Sequence, residues 1–126
     1  MSQENVKIFD LEKKIIYFKE IETQSPASVY DNFAKIAKLS RDFDGVYLLI
    51  DLSIAKRPNH ASRKALNTSF LSLRKEIIHV AFYTEGNFLI NAAIKFVMYN
   101  MGLASYSVKT TKAEALSSIK KASSKH

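Results

Sequence analysis

The sequence predicts an α/β fold built on a mostly parallel sheet that opens with an antiparallel hairpin. Three observations carry this reading. Val46-Tyr-Leu-Leu-Ile50 is an unbroken apolar run that ends in Asp51, with Gly45 before it and a polar, proline-containing segment after it. A strand whose two faces are both covered by helices reads this way. Around it, stretches with strand-like alternation and stretches with helical spacing follow one another along the chain. The resulting order, β-β-α-β-α-β-α-β-α, requires crossover connections and therefore parallel strands, with the opening pair adding an antiparallel member.

Val6 to Asp10 and Lys14 to Glu22 read as the two strands of the hairpin, with Leu11 to Lys13 as the turn and one wet face. In the second strand Ile15, Tyr17, Lys19 and Ile21 alternate with Ile16, Phe18, Glu20 and Glu22. Ser25-Pro26 is a helix start, because serine caps the free N–H groups and proline suits the first helical position. Val29, Phe33, Ile36 and Ala37 form the apolar stripe of that helix, Asp31, Lys35 and Lys38 lie off it, and its end falls between Ser40 and Phe43. After the central strand, Ile54 to Pro58 form a loop, and Asn59 caps a second helix expected to reach Glu76. Its inward stripe is Leu66, Phe70, Leu73 and Ile77, with Lys64, Asn67, Arg74 and Lys75 on the wet side.

Ile78 to Thr84 alternates as a strand, and Glu85-Gly86-Asn87 turns the chain. Asn87 caps a third helix, Phe88 to Met101, that Gly102 terminates. This helix is apolar almost all round. With Leu89, Ala93, Phe96 and Val97 toward the sheet, Phe88, Met98, Tyr99 and Met101 need a neighbouring helix, a dimer interface or an apolar pocket. Ser105 to Thr110 is the last strand. Thr111 and Glu114 have capping-box spacing for a final helix with Leu116 and Ile119 inward, and Ala122 to His126 should fray.

The 126 residues are expected to make one domain with one core. The chain has no cysteine, which removes disulfides, thiolate zinc sites and thiol chemistry and fits a reducing cytoplasm. The start is too polar for a secretory signal, and the most apolar run, Phe88 to Leu103, is broken by Asn91, Lys95 and Asn100. It also falls short of the roughly 20 apolar residues that span a bilayer, so no membrane span is expected. The net charge of +7 is uneven, with residues 1–55 at −2 and residues 56–126 at +9. Such asymmetry marks either an anionic partner or solvated helix faces. No basic motif interleaved with aromatics is present, so nucleic acid is not expected as a partner.

The topology, together with Leu49-Ile50-Asp51-Leu52-Ser53, resembles the STAS superfamily and especially its SpoIIAA-like branch, sometimes described as STAS/Sec14-like. Val80-Ala81 and the helix ending at Gly102 add to the likeness. The resemblance covers nearly the whole chain as topology. It implies a non-enzymatic regulatory or binding domain. In the antagonist branch of that superfamily, a serine in a second half-motif, Asp-Ser-Ser-Gly, is phosphorylated to toggle partner binding. Here that half-motif falls on Asn59-His60-Ala61-Ser62, so the serine places hold His60 and Ala61, and Ser62 stands at the glycine place. The phosphoswitch therefore does not carry over residue by residue, and Ser62 is a displaced candidate.

Candidate site residues cluster after the central strand. Asp51 lies where ligands bind in open α/β sheets, outside a strand's carboxyl end, or else it accepts backbone N–H bonds of the next loop. Ser53, Lys56, Arg57 and Arg63, with Lys64, flank the loop beside a helix N-terminus, which favours anions. Asp51 orienting His60 to activate Ser62 is the enzymatic alternative, but residues two apart on a helix face different ways. The three histidines, His60, His79 (expected at a strand edge) and His126, have no metal-ligand spacing, and no motif calls for a cofactor. The expected partner is a protein, a second copy included. The alternative is a carrier of an apolar or amphipathic anionic ligand such as a fatty acid.

Overall fold

The structure is a computed structural model, and it describes residues 5–20, 25–56, 58–87, 90, 94 and 105–124. Among the described residues, five strands make one mixed sheet in the order β1-β2-β3-β4-β5. β1 (Val6–Asp10) runs antiparallel to β2 (Ile15–Lys19), and β3 (Val46–Asp51), β4 (Ile77–Tyr83) and β5 (Tyr106–Lys109) are parallel to β2. The described helices are α1 (Pro26–Ser40), α2 (His60–Leu73) and α3 (Lys112–Ser123). The fold is α/β as expected, and the described strands and helices fall in the expected order, the third expected helix aside. Phe88, Met98, Tyr99 and Met101 of the expected third helix lie outside the described residues, whereas Ile90 and Ile94 are helical and buried.

The parity of the strands divides the interior into two layers. Ile16, Phe18, Leu48, Ile50, Val80 and Phe82 point to the face covered by α1 and α2, where Ile90 and Ile94 also pack. Ile15, Tyr47, Leu49, Ala81 and Tyr83 point to the other face, against Ala115 and Ile119 of α3. Every residue of β3 is buried, as a strand covered on both sides must be. On the first face, edge-to-face ring pairs run from Phe18 to Phe33 (6.0 Å), Phe33 to Phe70 (4.8 Å) and Phe70 to Phe82 (6.5 Å), so one aromatic chain ties β2, α1, α2 and β4 together. Such pairs add about 0.5–1.5 kcal/mol each beyond the area they bury.

Local chemistry explains the starts and stops. Ser25 caps α1 in a box with Ser28, and Thr111 caps α3 in a box with Glu114. Asn59 caps α2 by accepting the Ser62 N–H at 2.8 Å. Gly45 leads into β3 with φ +149°, and a Cβ there would lie 2.8 Å from Ile78 Cδ1. Glycine is required both for the backbone angle and for that approach.

Several expected boundaries move. β2 covers Ile15–Lys19 rather than starting at Lys14, whose φ of 60° places it in the turn; residues 21–24 lie outside the described residues. β2 is also dry on both sides near its start, because Ile16 packs in the layer under α1 and α2 and Ile15 in the layer with Ala115 and Ile119 of α3. α2 stops at Leu73, and Ile77 opens β4 instead of closing the helix stripe. Its inward face is Ser62, Ala65, Ser69, Phe70 and Leu73, with Leu66 only half-buried. Small residues there allow α2 to lie close, which a search for large apolar residues overlooks. β5 is Tyr106–Lys109, and α3 continues through Ser123 where fraying from Ala122 was expected.

Candidate functional site

Asp51 closes β3 between Tyr17 of β2 and Tyr83 of β4. Strand parity puts all three on the α3 face, and the parallel register pairs Asp51 with Tyr83. The carboxylate is 7% exposed. One oxygen accepts the Tyr17 hydroxyl at 3.1 Å and the other accepts the Ser53 N–H at 2.9 Å. Burial alone would raise this carboxyl. The Ser53 N–H and hydroxyl and the Tyr17 and Tyr83 hydroxyls outweigh burial and hold it below its ordinary 3.8. Burial raises both phenols, and the neighbouring carboxylate raises them further. At neutral pH the cluster is therefore one carboxylate held by uncharged phenols. A carboxylate kept below its ordinary value is a weak base, so this arrangement suits a structural anchor better than proton transfer.

The anchor acts on the loop that follows. Asp51 ties down Ser53, Leu52 N–H bonds the Tyr83 carbonyl at 2.9 Å, and Ala55 N–H bonds the Leu52 carbonyl at 3.2 Å. From the next crossover, the Asn87 amide donates to the carbonyls of Leu52 (2.9 Å) and Ala55 (2.7 Å). Its two N–H groups need two acceptors, which assigns the orientation of the amide. Sequence reading placed Asn87 as a helix cap; its hold on a loop more than 30 residues away has no local signature.

Over this pinned backbone, side chains divide by depth. Leu52, Ala55 and Pro58 are buried, whereas Ile54, Lys56, Asn59, His60 and Lys64 are exposed, Ile54 at 49%. Ser53 and Arg63 are half-buried, and Arg57 lies outside the described residues. Ser62, the displaced phosphoacceptor candidate, is 0% exposed, so this conformation offers no hydroxyl to a kinase there. Asp51 and His60 are not joined by a hydrogen bond among the described residues; the acid is engaged by Tyr17 and Ser53 instead. The strand order also runs from β2 to β5 without reversal. The crevice that forms at a reversal of strand order in open α/β sheets is thus not generated beside Asp51.

A second polar cluster lies under α3 and was not anticipated. His79, expected at a strand edge, is 6% exposed in the interior strand β4. Its Nδ1 bonds the Ser105 hydroxyl, its Nε2 lies 3.1 Å from Ser107 Oγ, and Ser107 Oγ lies 2.7 Å from Ser118 Oγ. Ser118 donates its proton to the Ala115 carbonyl at 2.7 Å. Each hydroxyl has one proton. Ser107 must therefore donate to Ser118, His79 Nε2–H must donate to Ser107, and Nδ1 accepts from Ser105. Burial holds the imidazole below its ordinary 6.5, which keeps it neutral in this role. A serine two residues from another serine, each reaching one histidine 26 and 28 residues back, is visible only once β5 is aligned on β4.

Among the described residues no cluster of His, Cys, Asp or Glu has the makings of a metal site, and no helix is long and apolar enough to cross a membrane. No protein-family model, curated protein or solved structure matches the chain.

Proposed function

We propose that the protein is a non-enzymatic regulatory domain of STAS-like, SpoIIAA-like kind that acts in the cytoplasm by binding a protein partner, a second copy included, through the Ile54–Arg63 loop and adjacent helices. The observation that carries this reading is the contrast within that segment. Its backbone is held at the start, where Asp51 accepts the Ser53 N–H and Asn87 donates to the Ala55 carbonyl, while Ile54, Lys56 and His60 are exposed. A loop anchored at its start has less conformational entropy to lose on association than a free one. An exposed isoleucine close in sequence to exposed cationic and polar residues has the composition of a contact with an apolar centre and a polar rim. The buried Ser62 argues for a constitutive contact rather than one toggled by phosphate at that position. The carrier alternative drew on Phe88, Met98, Tyr99 and Met101 and gains no support from the described residues.

The test is partner capture by chemical crosslinking with the wild-type chain, Ile54→Glu and Leu71→Glu, the last an exposed control on α2. A partner, or a second copy, that is retained by the control and lost with Ile54→Glu supports the reading. Equal capture by all three chains removes it.

A further inference from the structure

The hydrogen-bond chain under α3 contains the parts of an activated nucleophile. Ser105 donates to Nδ1 of His79, and the opposite nitrogen is occupied by Ser107, which Ser118 ties to the Ala115 carbonyl of α3. The order nucleophile, base, orienting group is the arrangement by which serine is activated, whatever the fold. Ser107 fixes the tautomer, so the free lone pair of the ring is directed at Ser105 and nowhere else. Ser105 itself sits just before β5 and is half-buried, whereas His79 is enclosed, so Ser105 is the more exposed member of the pair. The link to α3 runs through Ser107 and Ser118, whereas Ser105 satisfies the opposite ring nitrogen, which burial would otherwise leave without a partner.

We propose that Ser105 is a histidine-activated acylation site that accepts an acyl group from an activated ester or thioester. Ser105 Oγ bonds to the carbonyl carbon while its proton moves to His79 Nδ1. The bond from that carbon to the leaving oxygen or sulfur breaks, and the leaving group departs with the electron pair. The proton then passes from His79 to the leaving group, so acyl donor and serine become acyl-serine and the free alcohol or thiol. This modification site is independent of the binding surface at Ile54, and either can stand without the other.

The folded full-length chain is treated with p-nitrophenyl acetate and the acetylated serines are mapped by mass spectrometry over time. Ser72 and Ser124, exposed and outside the chain of bonds, serve as internal references. General-base assistance is worth roughly 100-fold or more. Ser105 is expected to acetylate about 100-fold faster than the references, Ser105→Ala to lose that label, and His79→Gln to reduce the Ser105 rate to the reference rate. Ser107→Ala, which leaves His79 in place but frees its Nε2, should slow Ser105 while leaving the reference serines unchanged. Acetylation of Ser105 no faster than Ser124 in the wild-type chain overturns the proposal without requiring any variant to fold, as does a full rate in folded His79→Gln.

Discussion

Replacing Asn87 with alanine tests whether the loop after β3 is held as described. The substitution removes two donors, at 2.9 Å from the Leu52 carbonyl and 2.7 Å from the Ala55 carbonyl in the native chain; the Leu52 carbonyl keeps the Ala55 N–H. A neutral hydrogen bond contributes about 1 kcal/mol net, so the loss is about 2 kcal/mol. Two features bound this figure. Asn87 is half-buried, so water can reach part of the vacated space and lower the cost. Ala55 is buried, so its carbonyl, if water does not reach it, costs more than the bond it lost. Asn87→Asp should be worse than alanine, because a carboxylate would then face two carbonyl oxygens. Urea unfolding reads the stability change as a shift of midpoint at constant slope. Native-state amide exchange reads the location: the Ala55 amide should exchange faster, while amides in the interior of β3 change only with global stability. A variant within 0.5 kcal/mol of the wild type, or one that loses stability with no added exchange at Ala55, would refute the clamp.

Gly45→Ala combines an unfavourable positive φ with a Cβ 2.8 Å from Ile78 Cδ1. Because the Ile78 side chain is able to shift, the expected loss is about 1–3 kcal/mol, read from the same urea midpoint. A wild-type midpoint would show that the entry to β3 is not constrained in this way. Acid should destabilise the protein in two windows. His79 has its folded pKa below the ordinary 6.5, so the unfolded chain takes up the proton first; the associated stability is complete above about 6.5 and is lost as pH falls through the folded value. Asp51 is held below 3.8, so its contribution persists above about 3.8 and is lost at still lower pH. Urea midpoints that stay level as pH falls from neutrality to below the ordinary carboxyl value would contradict the His79 assignment.

Much of the fold is legible in local pattern. Val46 to Ile50 announces a doubly covered strand because no polar residue interrupts it, and the structure buries all of β3. Ser25, Asn59 and Thr111 announce helix starts because each supplies a side-chain acceptor where backbone N–H groups lack partners, and all three act as caps. Boundaries are less legible where one residue satisfies two periods. Ile77 fits the helical stripe of Phe70 and Leu73 and also the alternation that follows, and the pairing of Ile77 with Val46 in the sheet decides for the strand.

By itself, then, the sequence determined the alternation of strands and helices, the doubly buried central strand, and the place of the loop after Asp51. These depend on neighbours within a few residues, where spacing reports which side faces the interior. Only the tertiary structure decided what the polar residues do. Tyr17 meets Asp51 across 34 residues, Asn87 reaches Leu52 across 35, and His79 finds Ser105 and Ser107 across 26 and 28. Such partners are set by strand order and register, and a hydrogen bond formed or missed by one residue of register leaves no trace in the periodicity of either segment.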